Sequence, residues 1–172
     1  MAAGPRVGVG GDKQGAMHFA VALALTASFT VVSGELTSYD PRVPAGARAD
    51  VAAAPVDGGT VVLLRVRGLL PDRAYGAHAH VNPCGPAPAD SGPHYQHVQG
   101  GATDPAFANP DTEIWLDFTS DAIGWGEARA RVEWRFGERR PRSIVLHEEH
   151  THTEPGHAGT AGARVGCITV PF

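Results

Sequence analysis

The stretch Tyr75-Gly-Ala-His-Ala-His-Val81 places two histidines two positions apart in a short segment of small and apolar residues. Side chains along a β-strand alternate between the two faces of its sheet. If this stretch is a strand, His78 and His80 therefore point to the same face. A dry structural role for two such imidazoles is uncommon, because buried polar groups need hydrogen-bond partners. The spacing favours a metal site.

Segments typical of β-strands also occur on both sides of this stretch. Gly and Pro are abundant, at 22 and 14 residues, and most of them separate short apolar runs, as in an all-β protein rich in turns. Asp57-Gly-Gly59 between two alternating segments indicates a β-hairpin. No segment has the pattern of a long amphipathic helix, so we expect a β-sandwich or barrel. The other predicted strands are residues 49–55, 60–68, 113–119, 127–136, 143–148 and 163–170.

Two long loops interrupt the predicted strands, at residues 82–110 and 149–162. Loops of this length inside a compact domain are usually functional. The first loop contains His94, and the second follows His147, which ends an apolar run. If the fold brings these two histidines to the pair described above, the four can bind one ion. Imidazole-rich sites suit copper or zinc.

Several other polar and aromatic residues are expected to have structural roles. Three histidines of the second loop, His150, His152 and His157, are interpreted as solvated side chains. The alternative is that they hold a second metal or relay copper. Asp117 and Asp121 flank a predicted turn and are expected to cap it. The further loop histidines are His97, His150, His152 and His157. The tryptophans expected in the core or at its rim are Trp115, Trp125 and Trp134.

The charge of the chain argues against nucleic acid as a partner, because the formal net charge is −4. Arginines are nevertheless concentrated in the last third, where Arg164 lies. This concentration indicates either a solvated arginine-rich hairpin or a local positive field that attracts a small anion. The most apolar run, residues 19–27, is too short to span a membrane.

The N-terminal segment, residues 1–32, allows two interpretations. Arg6 and Lys13 precede the apolar run 19–27, an order that is typical of a secretory signal peptide. Alternatively, residues 19–32 form a first β-strand with an apolar side in the core. We expect one folded domain at residues 33–172 in either case.

The two cysteines, Cys84 and Cys167, lie far apart in the sequence. They are either free thiols of a cytosolic protein or partners in a disulfide. A disulfide closing so long a loop would stabilise the fold by roughly 4–5 kcal/mol in the chain-entropy model. It would also place the protein in an oxidising compartment.

Taken in chain order, these residues resemble the copper/zinc superoxide dismutase family. The resemblance covers residues 33–172 and implies an all-β Greek-key β-sandwich, an immunoglobulin-like barrel with two long functional loops. Each motif is weak alone, but their joint order is specific. The motifs are Gly76-Ala-His-Ala-His80, Cys84, Gly92-Pro-His94, Val145-Leu-His-Glu148 and Gly159-Thr-Ala-Gly-Ala-Arg-Val-Gly-Cys167.

The resemblance also implies a role for each matched residue. Arg164 would guide superoxide to copper, His94 would take part in proton exchange, and Cys84 and Cys167 would form a disulfide. The implied protein is a secreted, periplasmic or cell-surface superoxide dismutase, and a homodimer is compatible with it. The implied copper ligands are His78, His80, His94 and His147.

The sequence departs from the family pattern where a zinc site would be. His97 follows His94 by three residues, earlier than the pattern requires, and no aspartate has the expected spacing. We therefore do not expect an ordinary zinc site. In copper-only relatives an acidic residue holds the histidine equivalent to His94, and Glu113 is our candidate for that role. A copper-binding or buffering module with little turnover is the alternative function, and a zinc lyase or hydrolase ranks lower.

Overall fold

In a computed structural model, which describes residues 1, 2, 4 and 29–172, nine β-strands form two antiparallel sheets. The first sheet has the order β1 (Thr30–Glu35), β3 (Arg48–Val56), β4 (Gly59–Arg67) and β7 (Gly126–Val132). The second has the order β2 (Thr37–Ser38), β9 (Arg164–Thr169), β8 (Ser143–His147), β5 (Ala74–His80) and β6 (Phe118–Thr119). A short 3-10 helix, Pro88–Ser91, lies in the loop after β5.

The chain crosses between the sheets at several connections, including β4 to β5, β6 to β7 and β7 to β8. This arrangement confirms the predicted all-β Greek-key sandwich. The core lies between the two sheets, and the central strands of the first sheet, β3 and β4, bury alternate residues against it. In β4, Val62 and Leu64 are buried whereas Leu63 and Arg65 are exposed. Each such buried aliphatic side chain contributes roughly 1.5–3 kcal/mol to folding.

Strand β5 is buried on both of its faces. Tyr75, Ala77 and Ala79 face the core between the sheets. By alternation, His78 and His80 lie on the opposite face, which the loops after β5 and β8 cover. The histidines are therefore outside the core, on the outer face of the second sheet.

Two predicted strands are shorter than expected. Of residues 113–119, only Phe118–Thr119 pairs regularly with β5, because the Asp117 carboxylate accepts the N–H of Ala77 in place of a backbone carbonyl. The predicted strand at residues 127–136 ends at Val132 in the structure, where its pairing with β4 stops at Thr60.

The remaining strand predictions agree closely with the structure, and the predicted disulfide is formed. Cys84 and Cys167 are bonded and join the first loop to β9. Strand β1, Thr30–Glu35, begins three residues before residue 33, where the folded domain was expected to start. The signal-peptide and first-strand interpretations otherwise concern residues outside the described part of the chain. No helix among the described residues is long and apolar enough to cross a membrane.

Candidate metal centre

The structure brings four histidines together on the outer face of the second sheet. His78 and His80 come from β5, and His147 ends β8, where it pairs with Gly76 of β5. His94 comes from the first loop, which returns alongside β5 and forms an isolated antiparallel bridge to His80. One ring nitrogen of each histidine lies within 4.8 Å of those of the other three.

Gly76 explains how the second loop can close over this face. A side chain at Gly76 would meet the carbonyl oxygen of Glu149 at 2.5 Å and the Cβ of Ala161 at 2.7 Å. Both are closer than a real Cβ contact, so only glycine lets the loop approach the strand here. The glycine two residues before His78 is therefore part of what encloses the site.

Three of the four imidazoles use Nδ1 for a hydrogen bond to the protein. His80 Nδ1 lies 2.9 Å from the carbonyl of Gly92, and His147 Nδ1 lies 3.4 Å from the carbonyl of Gly162. His94 Nδ1 lies 2.9 Å from Oε2 of Glu113. Each partner can only accept, so each Nδ1 carries the hydrogen and each Nε2 carries a lone pair.

His78 is oriented in the opposite sense, through a threonine. Its Nε2 lies 2.6 Å from the hydroxyl of Thr151, which in turn donates to Oδ1 of Asp117 at 2.8 Å. Because the hydroxyl donates to the carboxylate, it accepts from His78, and the hydrogen is on Nε2. Nδ1 of His78 is left with a lone pair. This nitrogen is buried and has no hydrogen-bond partner among the described residues.

The four lone pairs meet without a hydrogen to share. His80 Nε2 and His147 Nε2 are 3.4 Å apart, and with both hydrogens on Nδ1 neither can donate to the other. Facing acceptors of this kind are unfavourable unless a cation lies between them. The orphaned His78 nitrogen and this close pair are the two observations that fit a bound metal ion.

Burial keeps His78, His80 and His147 in the neutral form that a metal needs. Desolvation lowers the pKa of His78 and His80 well below 6.5, and the neighbouring histidines lower it further. Desolvation and His94 lower the pKa of His147 to about 3. At neutral pH these three rings therefore offer lone pairs without first releasing a proton.

Glu113, the predicted partner of His94, is a fully enclosed carboxylate. Its side chain is 1% exposed. Oε2 accepts from His94 Nδ1 and, at 2.7 Å, from the indole N–H of Trp115. Oε1 accepts from Nε2 of Gln96 at 2.9 Å. Three donors satisfy the charge, and the carboxylate occupies the His94 nitrogen that a second metal would need.

Arg164, the predicted anion guide, begins β9 beside His147. Its NH1 group donates to the carbonyl of Pro88 at 2.9 Å and to the hydroxyl of Ser91 at 3.0 Å. No carboxylate lies within ion-pair distance of it among the described residues. Burial lowers its pKa, but arginine remains cationic in proteins. The guanidinium therefore carries an unneutralised charge.

Arg164, His94 and His147 line one cavity of about 480 Å³. Val81 and Pro93 belong to its wall as well. The cavity gives solvent molecules and small anions a route to two of the four histidines, past a positive charge.

The other loop histidines do not join the four. His97 stacks on Trp134 with ring centroids 4.5 Å apart, and His150 Nε2 donates to the carbonyl of Phe118. His152 contacts the carboxylates of Glu149 and Glu154, and the hydrogen bond to Glu149 is the main cause of its raised pKa. The His157 ring lies near that of His152, with ring centroids 6.5 Å apart.

The tryptophans lie mostly away from the core centre. Trp134 is partly buried against Tyr95 and Phe136, and Trp115 reaches Glu113. Trp125 is 54% exposed, in the turn before β7.

Sequence reasoning missed three residues that support the histidines. Asp121 caps its turn as expected, but Asp117 does not cap it and instead contacts Thr151. Thr151 and Gln96 were not singled out, because polar loop residues have no spacing that identifies their partners. For Asp117, a usable signal was its position four residues after Glu113 in a predicted strand beside β5.

Comparison with known proteins identifies solved structures with the same fold. No protein-family model and no curated protein sequence matches the chain. A solved structure of the Cu/Zn superoxide dismutase from Brucella abortus is similar to it, with 18% identity and a TM-score of 0.58 over 86% of this chain and all of that one. The chain has the fold of the copper/zinc superoxide dismutases.

Two further solved structures share the fold. One is a double mutant of a SOD-like protein from Bacillus subtilis, with 15% identity and a TM-score of 0.59, covering 82% of this chain and 95% of that one. The other is the clock protein EA4, with 19% identity and a TM-score of 0.62, covering 90% of this chain and 98% of that one. Similarity at these identities establishes the fold, and the function must be argued from the site.

Proposed function

We propose that this protein is a copper-dependent superoxide dismutase that works with a single metal ion. The observation that carries the proposal is the convergence of four imidazole nitrogens beside an arginine that has no carboxylate partner among the described residues. The residues that would hold the ion are His78, His80, His94 and His147.

Copper suits this ligand set better than zinc does. At equal geometry copper(II) binds nitrogen ligands more tightly than zinc(II). Zinc has no redox chemistry, and catalytic zinc sites usually have three protein ligands and an open position. Four neutral-donor ligands, without a carboxylate or a thiolate, can hold both copper(II) and copper(I), so the ion can change its oxidation state without losing a ligand.

Bound copper would supply one-electron chemistry, so that one superoxide is oxidised to oxygen and a second is reduced and takes up two protons to form hydrogen peroxide. Arg164 would draw the anion into the cavity and hold it by charge-assisted hydrogen bonds. Its contacts with Pro88 and Ser91 fix the guanidinium in place before the anion arrives.

Glu113 would take the place of a second metal. By accepting from Nδ1 it holds the hydrogen of His94 on that atom, so that Nε2 keeps its lone pair toward the ion. This arrangement supports His94 as a permanent ligand, whereas a second metal at Nδ1 would need this carboxylate to leave.

We also propose an extracytoplasmic location, because the disulfide between Cys84 and Cys167 would be reduced in most cytosolic environments. The proposed substrate is then superoxide formed outside the cytoplasm.

The test is superoxide consumption by purified, copper-loaded protein, measured against the same amount of free copper. We expect activity that His80→Ala and His147→Ala abolish, while His157→Ala, a matched change of an exposed histidine, retains it. Elemental analysis should give one copper per chain. Turnover no faster than the free-ion control would refute the proposal, and tight copper binding without turnover would favour a copper-buffering protein.

A further inference from the structure

The cavity beside the four histidines is much larger than a diatomic anion requires. Its volume is about 480 Å³, within the range of roughly 300–1,000 Å³ that is usual for small-molecule sites. A water molecule, comparable in size to superoxide, takes up only about 30 Å³ in the liquid. The dismutation of superoxide does not account for this space.

The lining of the cavity combines apolar groups, several polar side chains and one arginine. The uncharged polar side chains are Gln96, Gln99, Thr103 and Thr160. Val81, Pro93 and Ala102 contribute apolar surface, and Gly100 and Gly159 add wall without polar side chains. An occupant with a flat apolar body would replace water from this surface favourably.

The charges that face the cavity favour a negative occupant. Among the described residues, Arg164 makes its side-chain hydrogen bonds through NH1, which leaves its other N–H groups without a protein acceptor there. Glu113 also lines the cavity, but three donors already occupy its carboxylate. A planar guanidinium matches a carboxylate in two parallel hydrogen bonds.

We propose that this cavity binds small aromatic carboxylates of about the size of benzoate, with the carboxylate at Arg164 and the ring against Val81, Pro93 and Ala102. Such an occupant lies between solvent and two of the histidines, so it blocks access of superoxide to the metal. The inference extends the proposed function by adding a competing ligand at the same site.

The binding test uses metal-free protein, so that it does not depend on the metal or on turnover. Titration calorimetry with benzoate and with acetate compares two carboxylates that differ in their apolar part. We expect benzoate to bind at least about tenfold more tightly, because the ring buries apolar area that acetate lacks. Equal affinities within about twofold, or no binding of benzoate, would overturn the inference.

Two variants separate the charge from the apolar wall. Arg164→Gln removes the cation and should weaken benzoate at least about tenfold. Ala102→Trp fills the cavity from an exposed position on its rim and should weaken benzoate while changing acetate little. Ala106→Trp, an exposed position of the same loop outside the lining, is the matched control and should leave benzoate binding unchanged. Unchanged benzoate affinity in both Arg164→Gln and Ala102→Trp would refute the site.

The outcomes also distinguish this inference from the proposed function. Benzoate binding to metal-free protein, together with no dismutation by copper-loaded protein, would support the cavity site and refute the proposed enzyme activity. Dismutation without benzoate binding would support the enzyme activity and refute the cavity site.

Discussion

Replacing Glu113 with glutamine is the most direct test of how the protein supports its proposed metal site. Glutamine has nearly the same shape, but it offers one acceptor oxygen and an NH2 group where glutamate has two acceptor oxygens. In the structure, Oε2 accepts from His94 and Trp115, and Oε1 accepts from Gln96. Whichever way the new amide turns, at least one of these donors faces an NH2 group.

The magnitude follows from the bonds that are lost or weakened. Hydrogen bonds to a charged group are worth about 1.5–3 kcal/mol, and Glu113 is too deeply buried for water to replace one. We therefore expect metal-free Glu113→Gln protein to lose about 1.5–3 kcal/mol of unfolding free energy. The His94 hydrogen bond changes from a charged acceptor to a neutral amide, so copper affinity should fall by about 10–100-fold.

Denaturant unfolding of the metal-free protein measures the first quantity, and competition with a copper chelator measures the second. Glu138→Gln makes the same chemical change at an exposed position and should alter neither. If Glu113→Gln binds copper as tightly as the parent protein and gives the same copper EPR spectrum, the carboxylate does not position His94 and the single-metal reasoning fails.

Three further predictions concern the rest of the site. Thr151→Val removes the acceptor of His78 Nε2–H and should lower copper affinity in the same chelator competition. Because His78 is fully buried, the unpaired N–H should also cost the metal-free protein about 1–3 kcal/mol of unfolding free energy, and unchanged copper affinity would contradict the assigned tautomer. The metal-free protein should lose stability as pH falls from 6.5 towards 3. His147 has a folded-state pKa of about 3 and stays neutral over this range, while the same histidine in the unfolded chain takes up a proton. Thermal unfolding measures the effect, and stability that rises on acidification would contradict it. Reducing the disulfide between Cys84 and Cys167 should cost roughly 4–5 kcal/mol by denaturant titration, and an unchanged midpoint in reductant would show that the bond does not constrain the unfolded chain.

Local periodicity made part of the fold predictable from the sequence. Alternation predicted that His78 and His80 of β5 share one face, because a packed sheet imposes a period of two on each strand. It failed at residues 113–119, where Asp117 interrupts the backbone pairing with β5 through its side chain. Periodicity carries no information about such a substitution of side chain for backbone.

The candidate site was predictable to a similar extent. His78 and His80 are paired by strand geometry, whereas His94 and His147 come together with them only through the sheet order and the return of the first loop. Glu113 could be named because the resemblance to copper-only relatives implies an acidic partner for His94, and Glu113 opens a predicted strand. Thr151 could not, since the path of a long irregular loop follows from tertiary contacts.

The position of the four histidines on the outside of the second sheet separates two kinds of change that a protein can undergo. The sandwich interior contains none of them, because Tyr75, Ala77 and Ala79 take the inner face of the strand that carries His78 and His80. Substitutions in the covering loops can thus alter access, metal preference or ligand choice while the interior packing is kept. One β-sandwich can in this way serve as a durable frame for chemistry that diverges at its surface.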